Sequence, residues 1–230
     1  MGEDVSEKLD YTPGVFSVER HTRGKWTCAH CKTLVQAPVP VAVIDKGRPT
    51  AGLLAQVLVA KHADHPPLYR QEAIFGRAGL AIPRSTLAAW VGQCGARVQP
   101  LAEALKTHLL QCRVLHADET PVAMLAPGKG STHRSYLWAH ATAAHESSKA
   151  VVHDFTDSRS GEHARVFLGH GAWRERDQAP WTGHLVCDDF SGYEALLALG
   201  VTEVGCMAHA RRKFVELHLS GKSAIAATAI

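Results

Sequence analysis

Val114-Leu115-His116-Ala117-Asp118 and His184-Leu185-Val186-Cys187-Asp188 are built alike: a short apolar run ending in a carboxylate. Runs of this length bounded by turn residues are what a buried strand looks like. Each therefore delivers an aspartate just where a strand leaves the core. In a sheet whose first and fourth strands are neighbours, the two ends converge. Paired carboxylates repel unless a cation lies between them, and hard oxygen ligands with open positions suit Mg²⁺ or Mn²⁺. Such a pair is the core of a two-metal phosphoryl-transfer site. Glu119 and Asp189 follow the two aspartates directly. Successive side chains of an extended chain point to opposite faces, so at most one of each pair faces a metal. Asp at a strand end is also a common turn former, and either aspartate alone would carry little. The repeated context is what gives the pair weight.

Outward from this pair, the pattern predicts strands at 114–117, 134–141, 149–155, 183–187 and 201–206, with helices at 161–168, 193–199 and 208–219. Three strands, a helix, then alternating strand and helix is the order of a ribonuclease-H-like mixed sheet. Ahead of it the period is helical. Leu53, Leu54, Val57 and Leu58 share one face of a helix stopped by His65-Pro66-Pro67. A second helix is expected from Leu68 to Ala78, a third carrying Leu87, Trp90 and Val91 inward, and a fourth from Leu101 to Leu110. The second and third resemble a helix-turn-helix whose recognition turn presents Arg84, Ser85 and Thr86 to phosphates and base edges. An ordinary helical hairpin has the same pattern.

Residues 5 to 27 alternate loosely around Pro13-Gly14 and suggest short strands. Cys28-Ala29-His30-Cys31 then forms a knuckle that supplies two of the four ligands of a structural zinc. The other four of the six cysteines lie singly, and His21 and His30 are poorly spaced substitutes. The expectation is a partial knuckle that does not close around zinc by itself. Three segments follow: 1–48, a partial knuckle and linker; 49–112, a helical DNA-binding region; and 113–230, an α/β core.

The 230 residues carry 25 Lys+Arg against 22 Asp+Glu, a net +3, with 46% hydrophobic residues. That balance is globular and excludes a disordered or fibrous chain. No apolar stretch is long enough to cross a bilayer, and the acidic Gly2-Glu3-Asp4 opening is unlike a signal peptide, so a soluble cytoplasmic protein is expected. Residues 51 to 115 carry +4 and residues 116 to 230 carry −2. A basic segment beside an acid-bearing one fits a polyanion grip next to a metal-holding site.

Three strings are more particular: His116-Ala117-Asp118-Glu119-Thr120-Pro121, Asp188-Asp189-Phe190-Ser191-Gly192-Tyr193, and Cys206-Met207-Ala208-His209-Ala210-Arg211-Arg212-Lys213-Phe214. They resemble the motifs of the insertion sequence 66 family of transposases. Leu68-Tyr69-Arg70-Gln71 and Arg84 to Val91 resemble the helical segment before that family's core, and Cys28 to Cys31 the second half of its zinc knuckle. Asp189 stands where the family usually has Gly, and Met207 where it has an aromatic.

The resemblance implies a DDE transposase, in which two aspartates and a glutamate bind Mg²⁺ or Mn²⁺ for strand cleavage and strand transfer on DNA. Asp118 and Asp188 match the aspartates. The matching glutamate is expected beyond Ile230 and the first knuckle half before Gly2, so the sheet is expected to be incomplete and zinc to belong to a fuller form. On this reading the chain by itself neither nicks nor joins DNA at a useful rate. The implied partner is transposon-end DNA, with a homo-oligomer allowed and no membrane. Arg211, Arg212 and Lys213 are spread around their helix and cannot all face one partner, and one or two of them can meet phosphate. His209 can touch DNA, orient a carboxylate or cap the core. Two other readings remain: a DNA-binding remnant or regulator without chemistry, and a metal-dependent nuclease whose third carboxylate is Glu162, Glu203 or, on the terminal helix, Glu216.

Overall fold

The computed structural model describes residues 14–45, 47–171, 179–221 and 223–230. The chain divides into two compact units, Met1–Gln99 and Pro100–Ile230.

In the first unit a two-stranded antiparallel hairpin, β1 (Lys25–Thr27) and β2 (Leu34–Gln36), brackets the Cys28–Cys31 knuckle. Of the strands expected over residues 5 to 27, only this last stretch is extended. Residues 14–24 form none, and the expectation for residues 5–13 lies outside the described residues. Helix α1 (Ala51–His62) begins at Thr50, whose hydroxyl accepts from the Leu53 amide at 3.3 Å. That bond satisfies one of the donors a helix start leaves free. Helix α2 (Leu68–Arg77) packs its Phe75 with Val57, Ile82 and Leu87 into a small buried cluster.

The third and fourth expected helices are one. Helix α3 runs unbroken from Arg84 to Leu109 with Pro100 inside it. Proline removes one helical hydrogen bond and disfavours the helical conformation in the residue before it, which is why the pattern reads as two helices.

The second unit is a five-stranded mixed sheet in the order β5-β4-β3-β6-β7, the arrangement expected of a ribonuclease-H-like core. Its strands are β3 (Val114–Leu125), β4 (Thr132–Thr142), β5 (Val151–Thr156), β6 (His184–Cys187) and β7 (Thr202–Gly205). The first three are antiparallel, while β3, β6 and β7 run parallel. β3 is longer than the expected 114–117, because Asp118 to Leu125 pair with β4. Its Pro121 is tolerated because β3 pairs with β6 only as far as His116, leaving that side without a ladder to feed.

Helix α4 (Gly161–Phe167) crosses from β5 towards β6, capped by the Ser160 hydroxyl. Instead of the helix expected over 193–199, a 3₁₀ turn (Ser191–Tyr193) leads into the short α5 (Glu194–Leu197). Helix α6 (Met207–Leu219) follows β7, and α7 (Ala224–Ala229) was not foreseen. The core lies where the sheet meets α4: Leu115, Trp138 and Leu185 pack with Phe167, Leu168 and Leu196, all nearly fully buried.

Candidate active site

Alternation along β3 decides what each residue does. Leu115, Ala117 and Glu119 are buried while His116, Asp118 and Thr120 are exposed, as the period of two requires. Leu115 pairs with Leu185 and His116 with Val186, so Asp118 and Asp188 each lie two residues beyond the same rung of the parallel ladder. Asp188 also shapes the turn that follows it, its Oδ1 accepting from the Phe190 amide at 3.2 Å.

A third side chain joins the two aspartates. His209, in the first turn of α6, brings one ring nitrogen to the pair, and one ligand atom from each of Asp118, Asp188 and His209 lies within 4.8 Å of the others. Its Nδ1 is buried and has no hydrogen-bond partner. In the sequence His209 could touch DNA, orient a carboxylate or cap the core, with the last the default for a single histidine. Only the return of α6 along the sheet edge brings it to residues 91 and 21 positions earlier in the chain.

Glu119 points the other way and is a structural group. Its side chain is fully buried. Oε1 accepts from Arg159 Nε at 2.8 Å and also pairs with Arg159 Nη2, while Oε2 accepts from the Tyr193 hydroxyl at 2.8 Å. Burial, then the charge of Glu119 and the bond to it, push the Tyr193 hydroxyl far above its usual range, so it stays a donor. Arg159 also lies over the Phe190 ring at 4.0 Å, and Phe190 in turn packs edge-on against Tyr193. Arg159, Phe190 and Tyr193 thus tie the turn after Asp188 back to the strand that carries Asp118. Nothing in the sequence marks Arg159, which sits between β5 and α4, as part of this arrangement. Behind Asp188, burial first and then neighbouring acids push the Cys187 thiol up to about 12, leaving it a neutral core residue.

The aspartates open into a cleft of about 950 Å³. Opposite them, α6 lines it with His209, Arg212, Lys213 and Glu216, a spacing of three, four and seven that puts all four on one helix face. Arg211 is exposed and does not line the cleft, so two of the three consecutive cations face it and one does not. Glu203 and Asp189 also line it. Glu162 does not. It stands in the first turn of α4 and pairs with Arg165, whose Nε lies 3.0 Å from its Oε2, so the fold does not bring it to the aspartates.

In the first unit, Arg84 and Ser85 are exposed and Thr86 half-buried at the start of α3. The Arg84 amide donates to Glu72 Oε1 at 3.1 Å, so a carboxylate from α2 already occupies part of that helix start. Cys28 and Cys31 are exposed, and no third His, Cys, Asp or Glu gathers with them among the described residues. Bonds to Thr33 hold the Cys31 thiol down at about 7.

Residues 46–230, both the helical stretch and the entire sheet, match the family model described as transposase IS66 family. The chain belongs to the IS66 transposase family. Residues 1–32 match the zinc-finger binding domain of transposase IS66, a span that takes in Cys28 and Cys31. Among relatives, the uncharacterized protein y4qI of Sinorhizobium fredii (strain NBRC 101917 / NGR234) is 37% identical over 242 residues, covering 100% of this chain and 43% of its own length. The uncharacterized protein y4jD of the same strain is 33% identical over 229 residues, covering 94% of this chain and again 43% of its own. The chain thus spans less than half the length of these relatives. No helix among the described residues is long and apolar enough to cross a membrane.

Proposed function

We propose that the sheet unit is the DNA-cleaving core of an IS66 transposase, with Asp118 and Asp188 as its metal-binding carboxylates and Mg²⁺ or Mn²⁺ as the ion. The observation that carries this is the register. Two aspartates at the same height on parallel neighbouring strands open into one cleft with Arg212 and Lys213 across it. The donor set fits a divalent cation, because two carboxylates converging beside a ring nitrogen repel each other unless positive charge lies between them. When bound, such an ion supplies electrostatic stabilisation of the attacking and leaving oxygens in phosphoryl transfer. The chain's own residues do the rest. Arg212 and Lys213 draw the phosphate backbone into the cleft, and Arg159, Phe190 and Tyr193 hold the two aspartate-bearing segments at fixed spacing.

We assign transposon-end DNA as the partner, with Arg84, Ser85 and Thr86 contributing contacts from the helical region and Arg211 a flanking one. The segments 1–48, 49–112 and 113–230 are taken as knuckle, DNA-binding and catalytic parts. Zinc at Cys28 and Cys31 needs two further ligands.

Calorimetric titration with Mn²⁺ tests the assignment. Asp118→Asn and Asp188→Asn should each weaken binding by about tenfold or more, and unchanged affinity in either removes that residue from the site. Incubation with supercoiled plasmid and Mn²⁺ tests activity of the chain by itself, for which little or no nicking is expected. Nicking that Asp118→Asn abolishes would make the chain a self-sufficient nuclease, and its loss in Glu216→Gln would name the third carboxylate.

A further inference from the structure

We infer that His209 is a direct nitrogen ligand of the Asp118–Asp188 ion, making this a mixed nitrogen and oxygen site that prefers Mn²⁺ to Mg²⁺. The inference rests on the assignment of Asp118 and Asp188 as metal ligands.

Geometry comes first. Two ligands about 2.1 Å from one ion stand at most about 4.2 Å apart. The three candidate atoms lie within 4.8 Å of one another, so a few tenths of an ångström of side-chain rotation brings all three onto a single ion. The state of the histidine comes second. A buried ring nitrogen without a partner is a cost that folded proteins avoid, and His209 Nδ1 is one. One nitrogen of this ring lies within 4.8 Å of a carboxylate oxygen of Asp118 and of Asp188, and a cation among them gives a ring lone pair something to bind. The position is also fixed from outside the trio. His209 stands on a helix of 13 residues that carries Arg212, Lys213 and Glu216 on the same face, so the helix backbone presents it towards the cleft.

The choice of ion follows from the donors. Mg²⁺ takes oxygen ligands in a near-ideal octahedron and gives up its waters reluctantly, whereas imidazole suits transition metals. Replacing one oxygen by a ring nitrogen therefore costs Mg²⁺ more than Mn²⁺.

Titration of the full chain with Mn²⁺ alone and with Mg²⁺ alone tests this, followed by electron spin echo spectroscopy of the bound Mn²⁺. For His209→Ala we expect Mn²⁺ affinity to fall by about tenfold or more while Mg²⁺ affinity changes by less than about threefold. His209→Asp, which puts oxygen in place of nitrogen, should reverse the preference towards Mg²⁺ and keep the site occupied if the alanine variant proves unstable. The wild-type echo should carry modulation from a directly bound ¹⁴N that disappears in both variants. Equal losses for the two ions, or an echo without nitrogen modulation, would overturn the inference and leave His209 as a group that orients a carboxylate. Binding insensitive to Asp118→Asn and Asp188→Asn would instead overturn the assignment beneath it.

Discussion

Two buried side chains show how much single groups in this core depend on their partners. Glu119 is a fully buried carboxylate whose two oxygens are shared between Arg159 and Tyr193. Tyr193→Phe keeps the ring packing and removes the donor to Oε2, leaving a buried acceptor unsatisfied. Urea unfolding should show a loss of about 1–3 kcal/mol. His140 is the opposite case. Its ring is stacked on Phe167 at 3.6 Å between centroids, neither nitrogen has a partner, and burial, then the charges of Lys106 and His153, hold its pKa down at about 3. In the unfolded chain the same group titrates near about 6.5. Between these values the unfolded state binds a proton that the folded state does not, so the stability His140 lends is complete above about pH 6.5 and drains away as pH falls towards 3. Going from pH 7 to pH 5 should cost about 2 kcal/mol through this residue. His140→Phe should remove that part of the pH dependence, measured by denaturant unfolding at the two pH values. An unchanged pH profile would locate the sensitivity elsewhere.

At the scale of elements, the site depends on a close approach between α4 and the 3₁₀ turn. A Cβ on Gly161 would stand 2.1 Å from the Gly192 carbonyl oxygen, a backbone atom rather than the end of a flexible side chain. Gly161→Ala therefore pushes the turn carrying Phe190 and Tyr193 away from α4. It should cost about 1–3 kcal/mol and weaken Mn²⁺ binding through the displaced Asp188 segment. Gly76 is the control. It lies exposed inside α2 with nothing near a new Cβ, so Gly76→Ala should stabilise by up to about 1 kcal/mol. Thermal unfolding of the two variants should move in opposite directions. Element boundaries were legible in the sequence where the hydrophobic period was clear, and the structure adds caps at two of them, Thr50 for α1 and Ser160 for α4. They were not where a local breaker was outvoted by pairing or packing. Pro100 did not end α3, and Pro121 did not end β3, because its strand-mates on the β4 side hold the register through Leu125.

At the scale of the whole molecule, the proposed contact with DNA makes a prediction about charge. Residues 51 to 115 carry +4, and each phosphate neutralised by such a segment releases condensed counterion. The logarithm of DNA affinity should fall with the logarithm of salt at a slope of about −0.9 per contact. Arg84→Ala, removing an exposed cation at the start of α3, should make that slope shallower by about one contact. Fluorescence anisotropy across a salt series measures it, and an unchanged slope would place the contacts elsewhere, with Arg212 and Lys213 the next to replace.

The sequence by itself determined the order of the strands in the large sheet, the family, and the placing of Asp118 and Asp188 at strand ends, because period and strand-end chemistry are local and are written within a few residues of each other. It also determined that Glu119 and Asp118 face opposite ways, since a strand has a period of two. Only the tertiary structure decided which distant groups complete the arrangement. Arg159 and Tyr193 reach Glu119 from 40 and 74 residues away. His209 reaches the aspartates from a helix whose position is set by the parallel pairing of β6 with β7. Such meetings depend on where the sheet turns the chain back on itself. No local pattern carries that information, because the energy that fixes it is burial shared across the whole core.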